Sequence, residues 1–125
     1  MLRESQTAVI ARNEIWEGQV ATEPYEAGWA TEAVVFVRAL AFRSASGAWR
    51  TDLGAGDGSV PKVAARIQLS ADGMRWIDEG SSLDMPGDCA HDSFARVRHF
   101  GNWLRVAALL PEGLAIKALV TIHLK

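Results

Sequence analysis

Leu114-Ala115-Ile116-Lys117-Ala118-Leu119-Val120-Thr121-Ile122-His123-Leu124-Lys125 alternates almost without a fault. Leu114, Ile116, Ala118, Val120, Ile122 and Leu124 point one way; Ala115, Lys117, Leu119, Thr121, His123 and Lys125 point the other. Side chains on a strand switch faces at every residue, so this pattern predicts a β-strand with one dry face and one mostly wet face. Chain ends commonly fray. A segment this apolar has to be covered, which predicts that it is built into a sheet.

Working back from it, Pro111-Glu112-Gly113 is a turn, Trp103 to Leu110 a strand, Gly101-Asn102 a tight turn, and Phe94 to Phe100 another strand. Residues 94–125 are therefore expected to form a three-stranded antiparallel meander. Upstream, Val63, Ala65, Ile67 and Leu69 share a face opposite Ala64, Arg66, Gln68 and Ser70. Ser70-Ala71-Asp72-Gly73 supplies turn chemistry, with glycine free to take positive φ. Met74 and Trp76 are expected to continue the return strand, with Trp76 in the core.

The N-terminal half is less regular. Thr7–Arg12 and Ile15–Thr22 read as two strands around Asn13-Glu14, and Glu23-Pro24 breaks regular structure. In Trp29–Arg43, the residues Trp29, Ala33, Phe36 and Leu40 have helical spacing, but Val34-Val35-Phe36-Val37 has strand composition. Strand with a bulge is the favoured reading over helix. Residues 44–61 and 81–92 read as polar loops. Turn signals recurring about every eight to fifteen residues predict one all-β domain over 1–125. The expected form is an antiparallel β-sandwich, jelly-roll-like, of about eight strands.

Composition narrows the function classes. A chain of 125 residues with 49% apolar and 22% charged residues is an ordinary globular domain. A net charge of −2 offers no field for phosphate backbones, so nucleic acid is not an expected partner. A single cysteine excludes an internal disulfide framework. The first residues carry Arg3 and Glu4 with no continuous apolar stretch, and the run Ala33 to Val37 is too short to cross a bilayer. A cytoplasmic or particle-associated protein without a membrane partner is the expectation.

Two segments collect reactive groups. Asp88-Cys89-Ala90-His91-Asp92 brings together a thiol, an imidazole and two carboxylates, with His99 beyond. Metal binding or thiol catalysis needs these groups to converge, and no CxxC or HExxH spacing accompanies them. Thr51 to Ser59 resembles a calcium loop faintly, without its spacing or its closing glutamate. Both read as polar loops, so no catalytic residue, metal or cofactor is expected. An enzyme built on Cys89, His91 and His99 ranks last.

Five tryptophans are many for this length. If Leu104, Val106, Ala108 and Leu110 face inward, Trp103, Arg105, Ala107 and Leu109 face outward. With Leu119 on the next strand, Trp103, Arg105 and Leu109 are expected to form an apolar patch that a neighbouring subunit covers. Trp49 beside Arg50, with Asp52 and Asp57, is the alternative: a sugar-stacking platform with hydroxyl partners.

Ile67 to Gly80 (IQLSADGMRWIDEG) and Phe94 to Val106 (FARVRHFGNWLRV) resemble discoidin-like and related galactose-binding-like jelly rolls. The Ser-x-Asp-Gly-x-x-Trp pattern also recurs in phage tail and virion-associated β-sandwiches. The cysteine pair common in discoidin domains is missing. The resemblance implies the jelly roll, and no binding residue carries over from it. The leading expectation is a non-catalytic structural module that self-associates as a homo-oligomer or decorates a larger particle. Carbohydrate binding comes second.

Overall fold

A computed structural model describes residues 5–44, 47–51 and 61–125. Nine strands are found among them: β1 (Gln6–Glu17), β2 (Gln19–Ala21), β3 (Tyr25–Glu26), β4 (Glu32–Ser44), β5 (Ala64–Ser70), β6 (Ile77–Asp84), β7 (Asp92–Arg98), β8 (Trp103–Leu109) and β9 (Leu114–Leu124). They form two sheets in which every pairing is antiparallel. One sheet has the order β1-β9-β4-β7; the other runs β2-β8-β5-β6, with β3 also on β8. This is the strand order of a jelly roll. β2 and β3 share β8 as partner and act as one interrupted edge strand, which reconciles nine elements with the expected eight or so.

The terminal strand is at the heart of the fold. β9 is flanked on both sides, by β1 and by β4. All six of its expected inward residues, Leu114 through Leu124, are buried. They meet Ala33, Val35, Val37, Ala39 and Phe42 of β4 and Trp16 of β1 on one wall of the core. Ile67 of β5 and Leu104, Val106 and Ala108 of β8 close it from the other sheet. The last residue is tied in as well: the amides of Thr31 and Glu32 donate to the carbonyl of Lys125 at 2.9 and 3.0 Å.

Several expectations need correction. Residues 94–125 hold three strands, as the turns implied, but no meander. β7 and β9 lie in one sheet and β8 in the other, so each turn carries the chain across the sandwich. A turn residue reports that the chain reverses; which sheet receives the next strand is decided by where its apolar face finds cover. The N-terminal break lies at Gly18 rather than at Asn13-Glu14. Asn13 takes a left-handed φ of 50° within an irregular stretch of β1, whereas Gly18, at 64°, turns the chain from one sheet into the other.

The return arm of the central hairpin also differs. β6 starts at Ile77, so Met74 stands 78% exposed in the turn and Trp76 is only half-buried. The turn is longer than four residues because Asp72 accepts from the amides of both Met74 and Arg75, at 2.8 and 3.0 Å. β6 then runs on through residues 81–84, where the sequence reads as loop. Trp29–Arg43 resolves as strand from Glu32, with an irregularity between Ala39 and Ala41 where Leu40 is the extra residue.

Candidate functional site

The outer face of the β1-β9-β4-β7 sheet carries the most unusual surface. Val9 of β1 sits opposite Thr121 of β9, Thr121 opposite Phe36 of β4, and Phe36 opposite Phe94 of β7. This cross-strand row is apolar at three of its four positions, and its apolar members are 40%, 38% and 50% exposed for Val9, Phe36 and Phe94. The two phenyl rings lie 6.3 Å apart, tilted at 39°, a favourable aromatic arrangement. Leu119 and Val34 lie on the same face, half-buried, and Ile15 is exposed further along β1.

Ionic groups rim the row. Arg96 of β7 stacks on Phe94, its guanidinium carbon 5.0 Å from the ring centre. Arg38 grips Asp92 through two hydrogen bonds of 2.7 and 3.1 Å. That bond holds the Asp92 carboxyl below the usual carboxylate range and the Arg38 guanidinium above its own. Arg98 and Lys125 both reach Glu32, at 3.5 Å each. An apolar centre bordered by paired charges is the anatomy of protein–protein interfaces.

The sequence-expected patch does not come together. Trp103, Arg105 and Leu109 are on β8 and Leu119 is on β9, so the two groups occupy outer faces on opposite sides of the sandwich. Trp103 is half-buried against the Gly73 turn, where a methyl group on Gly73 would meet its ring at 3.3 Å. Arg105 lies flat over Trp76, 4.4 Å from the ring centre. Leu109 is 67% exposed and stands apart from both. For Phe36 and Phe94 the sequence does carry a signal of exposure. Each is in phase with an arginine on its own strand, Arg38 and Arg96, and that phase marks an outward side chain.

The other candidates take local partners. Trp49 is clasped by Arg43 at 4.6 Å and Lys117 at 4.8 Å. The Arg50 backbone exchanges two 2.8 Å hydrogen bonds with Phe42, which pins that segment to β4. Asp52, Asp57 and the rest of the calcium-like segment from 52 on lie outside the described residues. Asp88 accepts from the amides of Ala90 and His91, at 2.9 and 3.0 Å, and its carboxylate sits 2.9 Å from the His91 ring. These contacts, the His91 side chain first, hold the Asp88 carboxyl low. Burial, and then the neighbouring Asp88 charge, pushes the Cys89 thiol up. No histidine hydrogen-bonds that thiol among the described residues.

A cleft of about 520 Å³ at the end of the sandwich is lined by Ser70, Asp72, Arg75, His99, Asn102 and apolar neighbours. Ser70 donates to Asp72 at 3.0 Å, and no hydrogen bond joins it to His99 among the described residues. His99 itself is at a left-handed φ of 49° in the β7–β8 turn. Among the described residues, no three His, Cys, Asp or Glu side chains are grouped to hold a metal ion. No helix there is long and apolar enough to cross a membrane.

No protein-family model matches the chain, and no curated protein shows significant similarity to it. Among the solved structures that do match is the SPBc2 prophage-derived protein YomS. It is 10% identical, with 99% of this chain and 96% of that chain covered and a TM-score of 0.45.

Proposed function

We propose that this chain is a non-catalytic structural module that self-associates through the outer face of the β1-β9-β4-β7 sheet. The row Val9–Thr121–Phe36–Phe94 carries the proposal. Exposed phenylalanines side by side on a sheet surface are costly in water and favourable against a second apolar face. Leu119, expected in the interface, belongs to this face; Trp103, Arg105 and Leu109 do not. The rim of ion pairs supports a surface covered at its centre and wet at its edge.

Analytical ultracentrifugation of the purified protein up to several hundred micromolar tests the proposal. The expected result is a concentration-dependent oligomer that reverts to monomer in the double variant Phe36→Ser/Phe94→Ser, which still unfolds in one cooperative transition. A wild-type protein that stays monomeric throughout this range overturns it.

The alternative is carbohydrate binding, which the resemblance to discoidin-like jelly rolls favours and for which Trp49, Arg50, Asp52 and Asp57 are the candidate residues. It ranks second because the Trp49 ring already has Arg43 and Lys117 against it. Tryptophan fluorescence titrated against a glycan panel separates the two readings: a saturable response lost in Trp49→Ala supports the sugar.

A further inference from the structure

The opposite sheet presents a second surface of different chemistry. Arg66 and Gln68 of β5, Arg105 and Ala107 of β8, and Gln19 and Ala21 of β2 share its outer face. Between them lies a recess of about 290 Å³. Its floor is low because Ala107 and Ala21, paired across β8 and β2, carry only methyl groups. Its walls are two guanidiniums and two amides, and among the described residues no carboxylate lines it.

The guanidiniums are fixed by a relay of hydrogen bonds. Arg105 donates from Nε to Oε1 of Gln68 at 2.8 Å, and Gln68 donates from Nε2 to Asp78 at 3.0 Å. Arg66 donates from Nη1 to the other oxygen of Asp78 at 3.3 Å. Gln68 is buried, with only 8% of its surface exposed, and both ends of its amide are used. Trp76 supports the flat side of Arg105. Both Nη groups of Arg105, and Nε and Nη2 of Arg66, have no partner among the described residues. Asp78 thus pairs directly with Arg66 and reaches Arg105 only through the Gln68 amide, and both guanidiniums border the recess. Burial, and next the charge of Arg66, holds Arg105 below the ordinary guanidinium range.

We infer that this recess binds a small oxyanion of the phosphate class, with Arg66 and Arg105 as its charged donors and Gln68 as the residue that positions Arg105. Guanidiniums present planar pairs of N–H donors that match the oxygens of such an anion. A dianion relieves the repulsion between the two arginines and takes up the unused Nη donors. The recess has room beyond a phosphate group for a small attached body, since a water molecule occupies only about 30 Å³. The inference is independent of the self-association proposal, because the two surfaces are on opposite sides of the sandwich.

The test is ¹H–¹⁵N NMR titration of the full chain with inorganic phosphate and, separately, with glycerol 3-phosphate, at constant ionic strength set with sodium chloride. Saturable shifts centred on Arg66, Gln68, Arg105 and Ala107 are expected. Arg66→Gln, which removes charge without disturbing the Trp76 stack, is expected to weaken binding about tenfold or more. Arg105→Lys, which keeps the charge and loses the fork, weakens it too. Arg96→Gln on the other sheet leaves it unchanged. Tighter binding of glycerol 3-phosphate makes the ligand a phosphate monoester; tighter binding of inorganic phosphate makes it the free ion. Shifts spread evenly over the basic residues, or equal losses in Arg66→Gln and Arg96→Gln, overturn the inference.

Discussion

Replacing Ile122 by Ala tests the claim that the last strand is structural centre rather than edge. Ile122 is 1% exposed on β9, with Ala8 of β1 and Val35 of β4 as its cross-strand neighbours. The substitution removes three carbons, worth about 2.4 kcal/mol at roughly 0.8 kcal/mol for each buried CH₂ group. Strands on both sides restrict collapse, so a cavity remains and adds to the cost. The total is expected at about 3–4 kcal/mol, within the range of about 2–5 for such truncations. Against a domain stability of about 5–15 kcal/mol, this is a large share. Thr121→Ala, one residue away on the outer face, is the control, with an expected loss of about 0.5–1 kcal/mol. Urea unfolding followed by tryptophan fluorescence reads both. Trp16 is fully buried and serves as an internal reporter. The reasoning fails if Ile122→Ala loses under about 1 kcal/mol, or if Thr121→Ala loses as much as Ile122→Ala.

Further outcomes follow from other elements. Gly73→Ala combines a φ of +81° with a close approach to Trp103, and is expected to lower stability by about 1–2 kcal/mol in a thermal melt; an unchanged melt refutes the turn geometry. Asp72, Asp88 and Asp92 all titrate below their ordinary value when folded. Asp72 is held down first by the Arg75 amide, Asp88 by the His91 side chain and Asp92 by Arg38. A carboxyl lowered in the folded state contributes stability that is complete above its unfolded value, near 3.9, and is lost as pH falls through the folded value. Stability is thus expected to be flat with respect to these groups above about pH 5 and to drop below about pH 4. Asp72→Asn should flatten that drop, and an identical acid profile for it counts against the assignment. The Cys89 thiol, raised by burial, is expected to react with iodoacetamide at pH 7.5 more slowly than free cysteine; a faster rate contradicts its environment.

The strands were largely legible because the period-two pattern is strong wherever one face is wet. Ala64–Ser70 and Leu114–Leu124 fall where alternation placed them. Val34-Val35-Phe36-Val37 was harder, since four consecutive apolar residues conceal which are inside. Arg38 resolves the phase only once the segment is taken as strand. Trp76 departs from its expected core position because the turn before it is set by the Asp72 carboxylate and its two amide donors, and the alternation of β5 cannot be counted through such a turn.

The candidate sites depended on distance in sequence. Val9, Phe36, Phe94 and Thr121 come from four strands, and Arg66 and Arg105 are coupled through Gln68 on β5 and Asp78 on β6. Local chemistry determined that this chain is an all-β sandwich, that its last segment is buried on one face, and where most turns fall. It did so because face alternation and turn propensity are properties of neighbouring residues. Which sheet each strand joins was decided only by the packed structure, where β7, β8 and β9 alternate across the core although they follow one another in the chain. That partition separated Leu119 from Trp103 and set Phe36 beside Phe94. Burial of each strand's apolar face is satisfied by the whole sandwich at once, so no single segment carries the choice.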